Sequence, residues 1–352
     1  MFQVETEIAQ RIATSLEAKL TGSETRALHA KPTARLEAHE AYLKGRYFWS
    51  KRSLDGYKQA VAHFRRAIEL DPAYAQAYAG LADGLLYLGG ENIPGQKETL
   101  EEARAALQKA LELDDSLAEA HASRGLTAMN FDWNWLEAEQ EFKRSIELDP
   151  NYATAHQWYG EFLANMGRTD EGITEIKHAR ALDPLSITIN TDVAKVYMIG
   201  RRYDEAIEQY KKTLEMDPEF GVARGLLAIT LSLAGKHDEG IAEIRALKHL
   251  ETNPMYLSWL GYIYGKAGRN EEGAAALTGL EQLARQTYVS PLWLMLIETG
   301  LGHNDEAFAW FDKVAAEHAS GGAIAIKTNP VFDSLRSDPR FSDVLRRANF
   351  TP

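Results

Sequence analysis

His121 and His156 are the residues from which any search for chemistry in this chain begins. They stand 35 positions apart, in segments of matching pattern. Imidazoles placed alike on neighbouring helices can share a metal ion. The plainer reading is adopted: both are half-buried packing residues, and no metal or cofactor is expected. Nucleophilic catalysis has no footing either. The chain has no cysteine, and it lacks Gly-x-Ser-x-Gly, a phosphate-cradling glycine loop and His-Glu-x-x-His. Its Asp and Glu residues fall mostly on polar helix faces, where water solvates them. The chain is therefore read as non-catalytic, and its function is sought in binding.

The elements that would carry a binding surface are repeated. Residues 151–184 and 185–218 form two successive blocks of 34 residues, closing on Asp183-Pro184 and Asp217-Pro218. Each holds two amphipathic patterns around a glycine-containing turn. Small residues recur at matched places: Gly160 with Ala194, Gly172 with Ala206, Ala179 with Thr213. A fixed period in this range marks stacked supersecondary units. Helix backbones approach closely only where side chains are small, so these are read as helix-crossing positions. Overfilling such a site typically costs about 1–3 kcal/mol. The closing prolines, Pro150, Pro184 and Pro218, cannot stand in a helix interior, so each ends one unit and starts the next.

The turn glycine, the run Tyr203-Asp204-Glu205-Ala206 and the closing Asp-Pro resemble the tetratricopeptide repeat. The resemblance implies an all-α chain: a right-handed α-solenoid of about eight helix pairs, with an N-terminal helix and a C-terminal helical cap. Residues 1–35 are read as an amphipathic helix, with Val4, Ile8, Ile12, Leu16 and Leu20 on one stripe, followed by a linker. That stripe packs on the first repeat or on a domain absent from this chain. The superhelix spans 36–319, with repeats near 38–72, 73–115, 116–150, 151–184, 185–218, 219–253, 254–289 and 290–319. Gly89–Gly95 reads as an insertion between the helices of the second repeat. The sixth lacks its closing proline at the usual place and ends two residues late, at Asn253-Pro254. Residues 320–352 read as the cap: a short apolar segment, a turn and a final helix from about Pro339. In it Phe332, Leu335, Phe341, Val344 and Leu345 cover the last apolar face.

Trp133 and Trp135 share one inter-helix turn. Large rings most often fill gaps between repeats; the sharper alternative is an exposed contact patch. The stretch from Ala41 to Trp49, and Asp333 with Asp338-Pro339-Arg340-Phe341, resemble the repeat region of multidomain bacterial signalling proteins. In those, winged-helix, kinase or adenylate-cyclase domains precede the repeats. The resemblance implies the sensory or regulatory part of a larger protein.

Composition narrows the partners. A net charge of −12 argues against nucleic-acid binding by a general basic surface. The charged fraction of 26% and hydrophobic fraction of 45% are those of an ordinary soluble protein. The opening residues do not read as a signal peptide, and no apolar run is long enough to span a bilayer. A cytoplasmic location is expected, with the periplasm as the alternative if a membrane segment precedes the repeats. Self-association through the opening helix or the twin-tryptophan turn is a further option.

Mapping the repeat's inner positions onto this chain names a concave groove. Its first part holds Tyr42, Arg46 and Trp49, then Asp83 and Tyr87. Next come Leu126, Met129 and Asn130, followed by Gln157, Glu161 and Asn165. Thr191, Lys195 and Met198 continue it, with Ile229 and Tyr262 at the far end. This mixed lining suits an extended peptide or a helix laid in the groove. It lacks the Lys/Asn set that some such repeats use to clamp a C-terminal carboxylate. The alternative is a small-metabolite sensor, which a deep enclosed pocket near Tyr42, Trp49 and Tyr87 would favour.

Overall fold

The computed structural model describes residues 33–90, 96–319 and 322–350. The expected helix over 3–20 and its linker lie outside the described residues, as do 91–95 of the insertion. All regular structure among the described residues is helical, in paired helices, so the all-α expectation holds. By contact the chain divides into two units. One comprises the residues to Leu88 and Lys97–Ala120, the other Gly89–Gln96 and His121 onward.

The first unit contains α1 (Leu36–Trp49), α2 (Leu54–Leu70), α3 (Ala75–Gly90) and α4 (Gln96–Leu113). Ser53 starts α2 by accepting the Gly56 N–H at 3.1 Å, which satisfies one of the orphan donors of the first turn. Phe64 of α2 packs between α1 and α3. A Cβ on either Gly45 or Gly80 would fall 2.5 Å from its ring, so both helices close on Phe64 only as glycine.

The second unit takes up α5 (Ala118–Thr127), which runs into a π-helical turn at Ala128–Asp132, and its partner α6 (Trp135–Leu148). The pairs α7 (Ala153–Asn165) with α8 (Thr169–Leu182) and α9 (Ile187–Ile199) with α10 (Tyr203–Met216) follow. Then come α11 (Gly221–Leu233) with α12 (His237–Arg245) and α13 (Pro254–Lys266) with α14 (Asn270–Ala284). The last pair is α15 (Pro291–Leu301) with α16 (Asn304–Glu317). The first helix of each pair is termed A, the second B.

Asp149, Asp183 and Asp217 leave α6, α8 and α10 with φ of −137°, −135° and −142°. The ring of the following proline bars them from helical geometry. The prolines' carbonyls are then used. His156 Nε2 donates to Pro150 O at 3.0 Å, Asn190 Nδ2 to Pro184 O at 2.9 Å, and Arg224 Nη2 to Pro218 O at 3.0 Å. The same three side chains also bond the B helix of their own pair, at Glu175, Gln209 and Glu243. One position of the period thus latches each pair to the closing proline before it, whether it carries imidazole, amide or guanidinium. Close crossing is enforced elsewhere by size: a Cβ on Gly172 would sit 2.7 Å from Gly160 O. Ala194 and Ala206 are fully buried.

Two details differ from the sequence reading. B helix α12 stops at Arg245, and a left-handed His249 (φ +61°) and a 3-10 turn at Leu250–Thr252 follow it. Pro254 does not close that repeat but opens α13 at its first turn, where a missing N–H leaves nothing unsatisfied. The apolar segment after residue 321 is helical, α17 (Gly322–Thr328). A 3-10 turn at Pro330–Leu335 follows, and then α18 (Phe341–Arg347), which starts two residues after Pro339. Phe332, Leu335, Phe341 and Val344 are buried and Leu345 half-buried. The segment packs on α15 of the last pair and reaches further, to α7 and the π-helical turn.

Candidate functional site

In the first unit, Arg46, Trp49, Asp83 and Tyr87 come together. Asp83 is fully buried and pairs with Arg46 at 3.4 Å. The Arg46 guanidinium also lies 4.7 Å from the Trp49 ring centre. Trp49 meets Tyr87 edge-on at 5.8 Å, and Tyr87 stacks on Tyr57 at 5.1 Å. Arg52 occupies the space these rings enclose, 3.6 Å from Trp49 and 4.9 Å from Tyr87. It does so from a left-handed backbone, φ +49°. Tyr42 instead packs into the interior against Tyr74 and Phe64, at 5.2 Å and 5.8 Å. Burial pushes its phenol up to about 12, with Arg46 pulling the other way. The cage at Trp49 and Tyr87 is therefore filled by a cation from the same chain. Arg52 and Tyr57 were missed because neither occupies an inner position of the repeat.

In the second unit, Gln157 and Glu161 of α7 meet Lys195 of α9, and Asp192 joins them. Lys195 Nζ lies 2.7 Å from Glu161 Oε2, and Gln157 Nε2 donates to Asp192 Oδ2 at 2.5 Å. Burial first, and the Glu161 carboxylate second, hold the Asp192 carboxyl well above its usual range. The neighbouring Glu161 carboxylate and burial both favour the protonated form of Asp192, while Lys195 and the Gln157 amide favour its charge. Behind them the buried Tyr210 phenol is raised by burial, and then by the charges of Asp192 and Glu161. Gln157 is buried, whereas Glu161 and Lys195 keep 13% and 32% of their side chains exposed, so the cluster is reached from outside through that ion pair. Asp192 was missed although it lies three residues before Lys195, on the same helical face.

The other mapped residues lie elsewhere. Leu126, Met129, Thr191, Met198, Ile229 and Tyr262 are buried in the packing. Asn165 is buried too, its amide donating to Glu161 O at 2.9 Å. Asn130 is half-buried in the π-helical turn. His121 and His156 each pair with a glutamate of their own B helix, Glu141 and Glu175, at 2.6 Å. Trp133 and Trp135 are buried, so the exposed-patch reading of that turn is corrected: the chain's own C-terminal residues cover both rings. A half-open pocket of about 390 Å³ lies where α12 ends early, lined by Arg224, Lys248, His249, Asn253 and Tyr256. No helix among the described residues is long and apolar enough to cross a membrane.

Comparison with known proteins agrees with this architecture. Models described as tetratricopeptide repeat match residues 141–174 and 198–261. Anaphase-promoting complex subunit 3 of Schizosaccharomyces pombe is 23% identical over 46% of this chain and 24% of its own length. Human DnaJ homolog subfamily C member 7 is 24% identical over 66% of this chain and 40% of its own length. The chain thus spans less than half of these relatives. Among solved structures, the human IFIT1 dimer with m7Gppp-AAAA superposes with a TM-score of 0.58 at 16% identity. That match covers 89% of this chain and 77% of the other, and it is a likeness of fold alone.

Proposed function

We propose that this chain, which tetratricopeptide-repeat models match over residues 141–174 and 198–261, is a non-catalytic scaffold binding a protein or peptide across the A helices of its second unit. The observation that carries this is the cluster of Gln157, Glu161, Asp192 and Lys195. Two adjacent A helices bring these groups side by side, with Glu161 and Lys195 partly exposed over the buried Gln157. The likeness of Ala41–Trp49 and of the C-terminal segment to bacterial signalling proteins supports a fuller reading, the regulatory portion of a larger protein. A metabolite-sensing role, the second reading, draws on the pocket beside Arg224 and Tyr256, because Arg52 fills the Trp49 cage.

A phage-displayed peptide library panned against the full chain tests the proposal, with Gln157→Ala/Lys195→Ala as the counter-bait at matched melting temperature. Peptides enriched on the parent and at least tenfold less on the variant support it. Equal enrichment moves the site elsewhere, and no enrichment on either overturns peptide binding at the A helices.

A further inference from the structure

The turn carrying Trp133 and Trp135 departs from every other described turn of the second unit. It contains a π-helical stretch, a distortion that appears frequently at functional sites. Trp133 itself is left-handed, φ +52°. Both rings are covered by residues far along the chain. Trp133 stacks on His318 at 4.6 Å, and Trp135 on Phe350 at 4.7 Å with their planes within 6°. The Trp135 indole N–H donates to Ala348 O at 3.0 Å, and the Asn349 amide to Trp133 O at 3.3 Å. The Lys327 ammonium lies 4.8 Å over the Phe350 ring. Phe350 is thus held by a ring, a cation and the carbonyl two residues before it. Any peptide with an aromatic residue can offer the same groups.

The segment that supplies Phe350 owes its order to docking. Its two helices have seven residues each, and isolated helices below roughly 12–15 residues are marginal in water. Its ion pairs to the repeats, Arg201–Asp333, Arg340–Asp305 and Arg347–Asp312, are solvent-exposed, a class that contributes little. Its last ten residues are held by the buried Phe341, Val344, Ala348 and Phe350 and by the Trp135 bond.

We propose that residues 341–350 are a cis-bound ligand of the twin-tryptophan turn, an autoinhibitory contact that a partner peptide displaces with its own aromatic residue. The partner stacks that residue on Trp135 and gives the carbonyl two residues earlier to the indole. Asp312 selects a basic residue three positions before the aromatic, as it now takes Arg347. The proposal rests on the reading of the chain as a peptide-binding scaffold, at a site separate from the Gln157–Lys195 cluster.

The test uses the full chain and a fluorescein-labelled peptide with the sequence of residues 339–350. Phe350→Ala is expected to bind it at least tenfold more tightly than the parent, by polarisation. A probe whose phenylalanine is replaced by alanine is expected to bind neither chain. Amide exchange over 341–350 is expected to speed at least tenfold in the variant while α9 and α10 keep theirs. Equal affinity for both chains, binding to neither, or unchanged exchange overturns the proposal. If Phe350→Ala also loosens α9 and α10, Arg347→Glu replaces it, with at least threefold tighter binding expected and no gain overturning the idea. A dimeric parent that the probe converts to monomer would put the segment on a second copy and overturn cis docking. A failed phage selection beside a tenfold gain here would remove the A-helix site alone, and the reverse would remove this one alone.

Discussion

Residues 151–245 and residues 322–350 are both helical and both packed, yet they are held by different means. In the first stretch, every A helix repeats one arrangement 34 residues later: His156, Asn190 and Arg224 each bond a proline carbonyl behind and a B-helix side chain ahead. These contacts span few residues in sequence and recur without regard to which polar group makes them. In the second stretch nothing recurs. Trp135 to Ala348, Thr328 to Asn165 O and Arg201 to Asp333 each join residues more than a hundred positions apart. Local contacts make a solenoid's stability a sum over units and their interfaces, whereas the C-terminal segment adds to its contacts with the last pair several that reach back across the chain.

That difference can be broken at several points. The largest effect is expected from Gly172→Leu, which drives a side chain into the Gly160 carbonyl across the α7–α8 crossing. A loss of about 3 kcal/mol is expected, at the upper end for overpacking, read as a lower midpoint in thermal unfolding. An unchanged melt would show that this crossing is not tight.

His156→Ala removes one latch, with an expected loss of about 2 kcal/mol because one partner is a carboxylate. Burial opposes the charge on His156, and Glu175 with Pro150 O outweigh it, so its folded pKa is raised. The contribution is complete below the ordinary ~6.5 and fades as pH rises through the folded value. The gap in melting temperature between parent and variant is therefore wider at pH 6 than at pH 9. A gap that widens with pH would sink the charged-imidazole reading.

Asp192→Asn gives a smaller effect of known sign. The Asp192 carboxyl holds its proton above the ordinary ~3.9, so its contribution is present below that value and declines as pH rises toward the raised one. Asparagine keeps the neutral shape and does not titrate. The variant is expected to melt higher than the parent at pH 8 and alongside it at pH 4; a lower melt at pH 8 contradicts the raised pKa.

Arg201→Gly is the finest probe, because it touches both stretches. The A-to-B turns use glycine at positive φ at Gly167, Gly235, Gly268 and Gly302, but Arg201 stands there with φ +60°. Left-handed geometry costs an L-residue roughly 1–2 kcal/mol, and the exposed pair with Asp333 returns about 0–1 kcal/mol. Glycine should leave the melt level or slightly raised, while exchange over Pro330–Leu335 quickens. A clear fall in the melt would mean that the pair outweighs the strain.

The sequence by itself determined the all-α repeat, because a fixed period, small residues at crossings and Asp-Pro stops act on neighbours and need no distant partner. Helical spacing also set Gln157 and Glu161 on one face of α7 and Asp192 and Lys195 on one face of α9, and the mapping of the repeat's inner positions named Gln157, Glu161 and Lys195 among the groove candidates. It placed Met198 and Tyr262 there as well, and packing between adjacent helices buried them; the depth of a side chain depends on the next repeat's bulk, which periodicity does not encode. Only the tertiary structure decided that Arg52 fills the Trp49–Tyr87 cage and that Trp135 lies beneath Phe350. The first is set by one left-handed residue in a turn of irregular length. The second is a contact across more than two hundred residues, whose partners share no period, so no local pattern announces it.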